Sequence, residues 1–406
     1  PNHFSLWAST TYLAGRVFGN REWESLGARI LHRFAAEEQT PDGYWGEHSR
    51  DGPTPGYDYL TLTAVAVYFE HSADPAARDA LRRSTDFHKY FTWPDGAPVE
   101  VLNDRNRHWP ASFWGHFGFS HFPDGRRYAG FLTGFQREDG LNLEALGRLA
   151  QNALYFHDGP SAPIPQDLDR YAYRMSGPAG IRKAGPWTVA LSGLISTQAT
   201  NSQFYLDRQG NLSVFHDRLG LIVSGANSKR QPELATFRER LGNEVFHLPL
   251  SSRLQMTDQQ DRLSVAFRSF FSDLYVPPAT ANRVTVRFSI TGKGRAPEEA
   301  YLTLQLCLKP GEILETPQGR WTVGADPLQL TPAHLGGQIR HHGWTLQLDP
   351  TATLSWPVYP FNPYANAPET SLAYAVAALS VPLRLAGGQG GLRPAQQEIV
   401  FTLEAP

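Results

Sequence analysis

The sequence predicts an α+β, multidomain chain: a helical domain over residues 1–160, a linker at 161–186, and an antiparallel β-sandwich over 187–406. Three observations predict it. The chain has 406 residues, more than one hydrophobic core ordinarily serves. In its first part, apolar residues recur at helical spacing. After Trp187 they alternate with polar ones instead.

Residues 21–39 read as an amphipathic helix, because Trp23, Leu26, Ile30 and Phe34 fall on one face. Tyr59 to Phe69 is apolar and of helix length. Residues 75–91 form another helix, opened by Asp74 as N-cap and Pro75 at the first helical position. Residues 141–156 form a further one, with Leu143, Leu146, Leu149, Ala150 and Leu154 in register. Between them lie long loops at 40–58, 92–126 and 157–186, rich in Gly, Pro and aromatics. Loops of that length are usually functional or disordered, and their aromatic content argues against disorder. The last loop, with Pro160, Pro163, Pro165, Gly177, Pro178 and Gly180, reads as the linker.

In the second part, Val284, Val286, Phe288 and Ile290 alternate with Thr285, Arg287 and Ser289, and Leu302, Leu304, Leu306 and Leu308 with Thr303, Gln305 and Cys307. Runs at 211–215, 344–348 and 397–403 are similar. Each is a half-buried strand, and many strands with no helices between them make an antiparallel sandwich.

Composition narrows the function. Lys+Arg 37 against Asp+Glu 39 leaves a net charge of −2, so no overall basic field draws nucleic acid or an anionic membrane. No apolar run is long enough to span a bilayer, and no signal peptide is visible. The start at Pro1-Asn2-His3 reads as a processed or truncated terminus. The one cysteine, Cys307, sits in a strand pattern and reads as a small buried hydrophobe. His341-His342 lacks the partner spacing of a metal site, Ser224 to Ser228 lacks a nucleophile elbow, and no nucleotide loop occurs, so neither metal nor cofactor is expected.

The chemistry-bearing residues cluster at helix junctions. Asn2-His3 opens the chain. Asp42-Gly43-Tyr44-Trp45-Gly46-Glu47-His48 follows the first long helix. Tyr57 comes nine residues after His48, behind the turn Gly52-Pro53-Thr54-Pro55-Gly56. Arg105, Arg107, His108, Trp109 and Trp114 follow the helix at 75–91. In an antiparallel helix array, alternate junctions gather at one end, so one cleft can collect them. These are the residue types that β-elimination on a uronate needs. An amide or Arg neutralises the carboxylate, His or Tyr removes the C5 proton, and an acid protonates the leaving oxygen at C4. Loop tryptophans suit stacking on sugar faces.

The ordered set resembles two groups of polysaccharide lyases: the heparinase II/III-like and alginate lyases, and the hyaluronate and chondroitin AC lyases. The first is matched by Asn2-His3, Asp42-Gly43, Glu47, Ser49 and Tyr57, the second by His48, Gly56-Tyr57 and Arg105 with Arg107. The resemblance implies an incomplete α/α toroid followed by the sandwich, and an enzyme cleaving a uronate-containing polysaccharide outside the cytoplasm, in the periplasm or secreted. It implies Asn2 as carboxylate neutraliser, Tyr57 as acid or as both acid and base, His48 or His3 as base or carboxylate partner, and Arg105 as charge stabiliser. Trp45, Arg107, His108, Trp109 and Trp114 are the further candidates for contacting an anionic polysaccharide or oligosaccharide. Oligomeric state is left open. In the sandwich, His216-Asp217 and His247 are candidates only. Two alternatives stand beside the lyase: a glycoside hydrolase using Glu47 with Asp58 or Asp104, and a glycan-binding module without chemistry.

Overall fold

The structure is a computed structural model, described over residues 2–47, 52–103, 114–135, 142–195, 210–226, 230–294, 297–362, 367–385 and 395–406. The chain forms two compact units. One is built from the residues up to Val99 and from those after the following excursion up to Leu168. The other runs from Asp169 to the C-terminus and takes in a short segment beginning at Glu100.

The first unit holds helices α1 (Asn2–Phe18), α2 (Arg21–Arg33), α3 (Pro55–Ser72), α4 (Pro75–Tyr90), α5 (Pro123–Thr133) and α6 (Leu143–Tyr155). α2 runs on into a π-helical turn, Phe34–Glu38. The N-cap of α2 is Asn20, whose side chain accepts the Glu22 and Trp23 N–H groups. Asp74 caps α4 as expected, accepting the Ala76 N–H at 2.9 Å. α3 is buried on nearly every side, from Thr61 through Tyr68, which is why its sequence shows no amphipathic stripe: it is the central helix of the unit.

Two faces differ from expectation. On α2, Trp23 and Leu26 are exposed, and the buried positions are Gly27 and Leu31. The cause lies in α1. A Cβ on Gly27 would stand 2.6 Å from the Tyr12 nitrogen, and one on Gly15 only 2.2 Å from the Glu24 nitrogen. The two helices touch backbone to backbone at these glycines, and that contact rotates the larger apolar side chains outward. On α6, likewise, Leu143, Leu146 and Leu154 are exposed, and only Ala145 is fully buried.

The second unit holds two antiparallel sheets, of eleven and nine strands among the described residues. Strand Arg283–Gly292 lies between Phe270–Val276 and Gln396–Glu404. Val284, Val286, Phe288 and Ile290 are all buried, as their alternation predicts. In strand Glu299–Leu306 the leucines are buried, but so are Thr303 and Gln305, because this strand is covered on both faces. Side chains of both sheets form one core that includes Trp187, Phe237, Phe288, Leu302, Trp356 and Phe401. Cys307 packs with Leu234, Val376 and Ala378, and burial pushes its thiol up to about 12.

The stretch 161–186 is not a bare linker. It contains strands Arg170–Arg174 and Ala179–Ala184, which pair with each other, and the second pairs with Trp187–Ser192. The eleven-stranded sheet therefore starts inside it. The Gly-Pro turn at 177–178 that suggests a linker is the connection of this hairpin. Glu100 also departs from its expected place in a helical-domain loop. Its buried carboxylate accepts the Ser213 hydroxyl at 2.5 Å and the Gly225 N–H at 3.0 Å within the second unit.

Candidate active site

A cleft of about 680 Å³ opens in the helical unit where the start of α1, the end of α2 with its π turn, and the loop after it meet. Its lining includes Asn2, His3, Trp7, Arg33, Trp45 and Glu47. The structure thus brings together four residues singled out from sequence, Asn2, His3, Trp45 and Glu47, although more than forty positions separate the first from the last.

The loop that carries Trp45 is fixed at several points. Thr40 N–H bonds to the Tyr44 carbonyl, and Gly43 N–H to that of Thr40. Gly43 has φ +94°, and a Cβ there would stand 2.2 Å from the Arg83 carbonyl oxygen, so only glycine fits. Gln39 adds a brace: its amide donates to the carbonyls of Gly43 and Ala80. Trp45 donates its backbone N–H to Asp58 at 2.7 Å and its indole N–H to the Phe34 carbonyl at 2.8 Å. Only 2% of the Trp45 surface is exposed. It walls the cleft rather than offering a free ring.

Asp58 is itself enclosed. Its second oxygen meets His88 Nε2 at 2.7 Å, and both side chains are almost fully buried. Burial pushes the Asp58 carboxyl up, opposed by the bond to His88 and the Trp45 N–H. His88 stacks on Tyr59 at 4.2 Å, and Tyr59 bonds to Tyr128 at 3.0 Å. Asp58 therefore holds the Trp45 loop. It is not available as one of two facing carboxylates, which corrects its candidacy for hydrolysis; Asp104 lies outside the described residues.

Asn2 stands apart. It is 3% exposed, and its Oδ1 accepts the His3 N–H at 2.6 Å. That bond fixes which end of the amide is oxygen. The Nδ2 donor is buried with no partner among the described residues. An unmet buried donor costs about 1–3 kcal/mol and calls for an explanation, and a ligand acceptor in the cleft supplies one.

Tyr57 lies in the first turn of α3, half-buried, with its N–H bonded to the Thr54 carbonyl at 2.9 Å. The next residue, Asp58, is the one bonded to Trp45. Trp114, the remaining described candidate, has the Arg148 guanidinium over its ring. His48, Ser49, Arg105, Arg107, His108 and Trp109 lie outside the described residues. In the sandwich, His216 packs edge-on against Trp187 at 4.6 Å, and burial lowers its pKa. His247 is likewise held down, to about 4, by burial. Both ring nitrogens of His341 are engaged by main chain, at Lys309 N–H and the Ile313 carbonyl.

Sequence reasoning missed Trp7 and Phe4, which are 68% and 52% exposed at the cleft, and Arg33, which pairs with Glu38 in its lining. An exposed Trp beside an unmet amide has the form of a sugar platform. The spacing of Phe4 and Trp7, three residues apart, was a usable signal once a helix at the chain start was assumed.

No family model matches the sequence, and no curated protein matches it. Solved structures do. Heparinase III, the BT4657 gene product, superposes with a TM-score of 0.58 at 11% identity, covering 100% of this chain and 60% of that one. The heparan sulfate lyase HepC from Pedobacter heparinus gives 0.51 at 12%, over 100% and 60%. A Paenibacillus xanthan lyase gives 0.60 at 10%, over 99% and 43%. The chain has a polysaccharide-lyase fold. It spans about three fifths of the length of the heparinases it matches. Within this lyase fold, the expected order of helices first and antiparallel sheets after is the observed one. No helix among the described residues is long and apolar enough to cross a membrane.

Proposed function

We propose that the protein is a polysaccharide lyase that cleaves a uronate-containing polymer by β-elimination. The observation that carries this reading is the buried, unmet Nδ2 donor of Asn2 in a cleft of a chain with this fold. A uronate carboxylate placed there would accept that donor. Neutralising the carboxylate acidifies the C5 proton, and the hydrogen bond strengthens as enolate-like charge develops on the same oxygens. Trp7 and Phe4 would take the sugar face, with Arg33, paired to Glu37 and Glu38, at the edge of the same cleft.

In this mechanism Tyr57 protonates the departing C4 oxygen, and His48 or His3 removes the C5 proton or shares the carboxylate. Arg105 stabilises the charge. Arg107, His108, Trp109 and Trp114 extend the contact with the polymer, with the Trp114 ring reached beside Arg148. A free phenol titrates near ~10, so Tyr57 is a serviceable acid toward an alkoxide and becomes a base only if nearby cations lower it. The engagement of Asp58 by His88 removes it as the partner of Glu47 for hydrolysis, which leaves that reading to Glu47 with Asp104. Work on an extracellular polymer would place the protein in the periplasm or outside the cell.

The test is incubation with a panel of uronate polymers. A lyase leaves an unsaturated end that absorbs in the ultraviolet. A saturated reducing end would instead establish hydrolysis, and an intact but retained polymer would establish a binding module.

A further inference from the structure

At the other end of α3 a second cluster forms. Glu70 lies in the last turn of that helix, about 20 Å along it from Tyr57 at 1.5 Å per residue. His121 enters α5, and His157 follows the end of α6 by two residues. One Glu70 oxygen stands 3.0 Å from His121 Nε2 and 2.9 Å from His157 Nε2, and the two rings are 4.3 Å apart. One ligand atom from each of the three residues falls within 4.8 Å of the others.

The surroundings hold the three side chains in place. The His157 N–H bonds to the Ser120 hydroxyl at 2.9 Å, tying its segment to the residue before His121. Arg126 donates to the Ser120 and Pro160 carbonyls, clamping the same two segments. The His121 ring meets Phe69 edge-on at 4.8 Å. The His121 side chain is only 7% exposed, yet its Nε2 makes no hydrogen bond among the described residues. The 3.0 Å approach to Glu70 therefore lacks hydrogen-bond geometry: the contact is short but the angles are wrong. A buried imidazole nitrogen aimed at a carboxylate without a bond between them is the arrangement a shared cation completes.

We propose that Glu70, His121 and His157 form a divalent transition-metal site, with zinc the ion that fits best. Two imidazole nitrogens and one carboxylate oxygen are a common three-ligand set for zinc. Bonds of about 2.0–2.1 Å at tetrahedral angles place ligand atoms roughly 3.3–3.4 Å apart, so the observed 2.9–3.0 Å contacts need to open by only a few tenths of an ångström. His157, with 46% of its side chain exposed, opens the site to solvent, which leaves the fourth position to water. The metal joins α3, the entry to α5 and the exit of α6, so it acts as a clip on the helical unit. This assigns a metal where the sequence predicts none, because the ligands lie 51 and 36 residues apart and no short motif marks them.

The test uses the full chain after dialysis against a chelator. Calorimetric titration with zinc should show one equivalent bound, with a rise in melting temperature. Cobalt(II) in its place should give the intense visible absorption of a four-coordinate ion. Glu70→Gln and the more exposed His157→Ala should each weaken zinc binding at least tenfold and abolish the cobalt band, while circular dichroism shows the fold retained. His342→Ala, at the separate His342–Glu312 pair, should change nothing. The proposal is overturned if the wild-type chain takes up no zinc, or if the two variants bind it as tightly as wild type.

Discussion

Replacing Asn2 by Ala separates function from folding, because the two effects have opposite signs. The substitution removes the Oδ1 acceptor of the His3 N–H, a neutral hydrogen bond worth about 0.5–1.5 kcal/mol. It also removes the unmet Nδ2 donor, whose desolvation costs the folded state about 1–3 kcal/mol. The difference runs from about 0.5 kcal/mol against the variant to about 2.5 kcal/mol in its favour. For a unit of this size each 1 kcal/mol moves the melting temperature by about 2–4 °C, so the variant should melt near the wild-type temperature or a few degrees higher. In the proposed transition state, the donor meets a charged oxygen. A hydrogen bond to a charged group contributes about 1.5–3 kcal/mol, which converts to a rate loss of about 10- to 150-fold. The assay is ultraviolet absorbance of the unsaturated product on a polymer the wild type cleaves, beside a thermal melt. A variant that turns over at the wild-type rate refutes the role given to Asn2. One that melts many degrees lower shows that its side chain is structural.

Four further outcomes follow from the same geometry. Tyr57→Phe should fold normally and lose about 10²–10⁴ in turnover, read by the same absorbance; near-wild-type turnover removes it from the mechanism. Asp58→Ala leaves His88 and the Trp45 N–H facing an empty place in the interior, and urea denaturation should show a loss of about 3–5 kcal/mol. Gly43→Ala combines a positive φ with a collision against the Arg83 carbonyl, and should lower stability by more than about 1 kcal/mol and turnover with it. Asp124 gives a pH dependence. Burial alone would raise its carboxyl, but hydrogen bonds from Arg82 and Lys89 outweigh burial and hold it well below the usual range. Its stabilisation is present above the unfolded carboxylate pKa, about 3.9, and is lost as pH falls below that. Melting temperatures measured downward from about pH 5 should fall for wild type and fall less steeply for Asp124→Asn.

The two halves of the fold were legible to different depths. Strand Arg283–Gly292 could be read almost residue by residue, since one face is buried and alternation reports it directly. Helix α4 was legible from its Asp74-Pro75 start. The faces of α2 and α6 were not, because a helix shows where its apolar residues are but not which neighbour comes closest. The glycines at 15 and 27 decide that for α2. Strand Arg170–Arg174 was hidden among prolines and glycines that dominate its surroundings. Helix α5 was also passed over, although Pro123 at the first helical position marks it. At the site, Asn2, His3 and Trp45 were legible as a pattern. Their support was not: Asp58 and His88 lie 30 residues apart and meet only because α3 and α4 pack together.

The residues of the recognised pattern divide by whether their bonding capacity is already used. Gly43 is consumed by the close approach to Arg83, Asp58 by His88 and the Trp45 N–H, and Trp45 by Asp58 and the Phe34 carbonyl. None of these has a group left to offer a substrate. Asn2 keeps a donor that no group among the described residues uses, and Trp7 keeps most of an aromatic face in solvent. In the proposed mechanism the Asp-Gly part of the pattern places a wall, and the Asn part acts at it. Two classes of variant should result. Changes at Gly43 and Asp58 should lower melting temperature and turnover together. Changes at Asn2 and Trp7 should lower turnover at constant or higher melting temperature, with Trp7→Ala raising KM more than it lowers kcat, since a stacking platform serves ground state and transition state alike. A Trp7→Ala variant with unchanged KM would move the sugar platform elsewhere, and an Asp58→Ala variant that kept full stability would mean that the wall is held by something other than the Asp58–His88 pair.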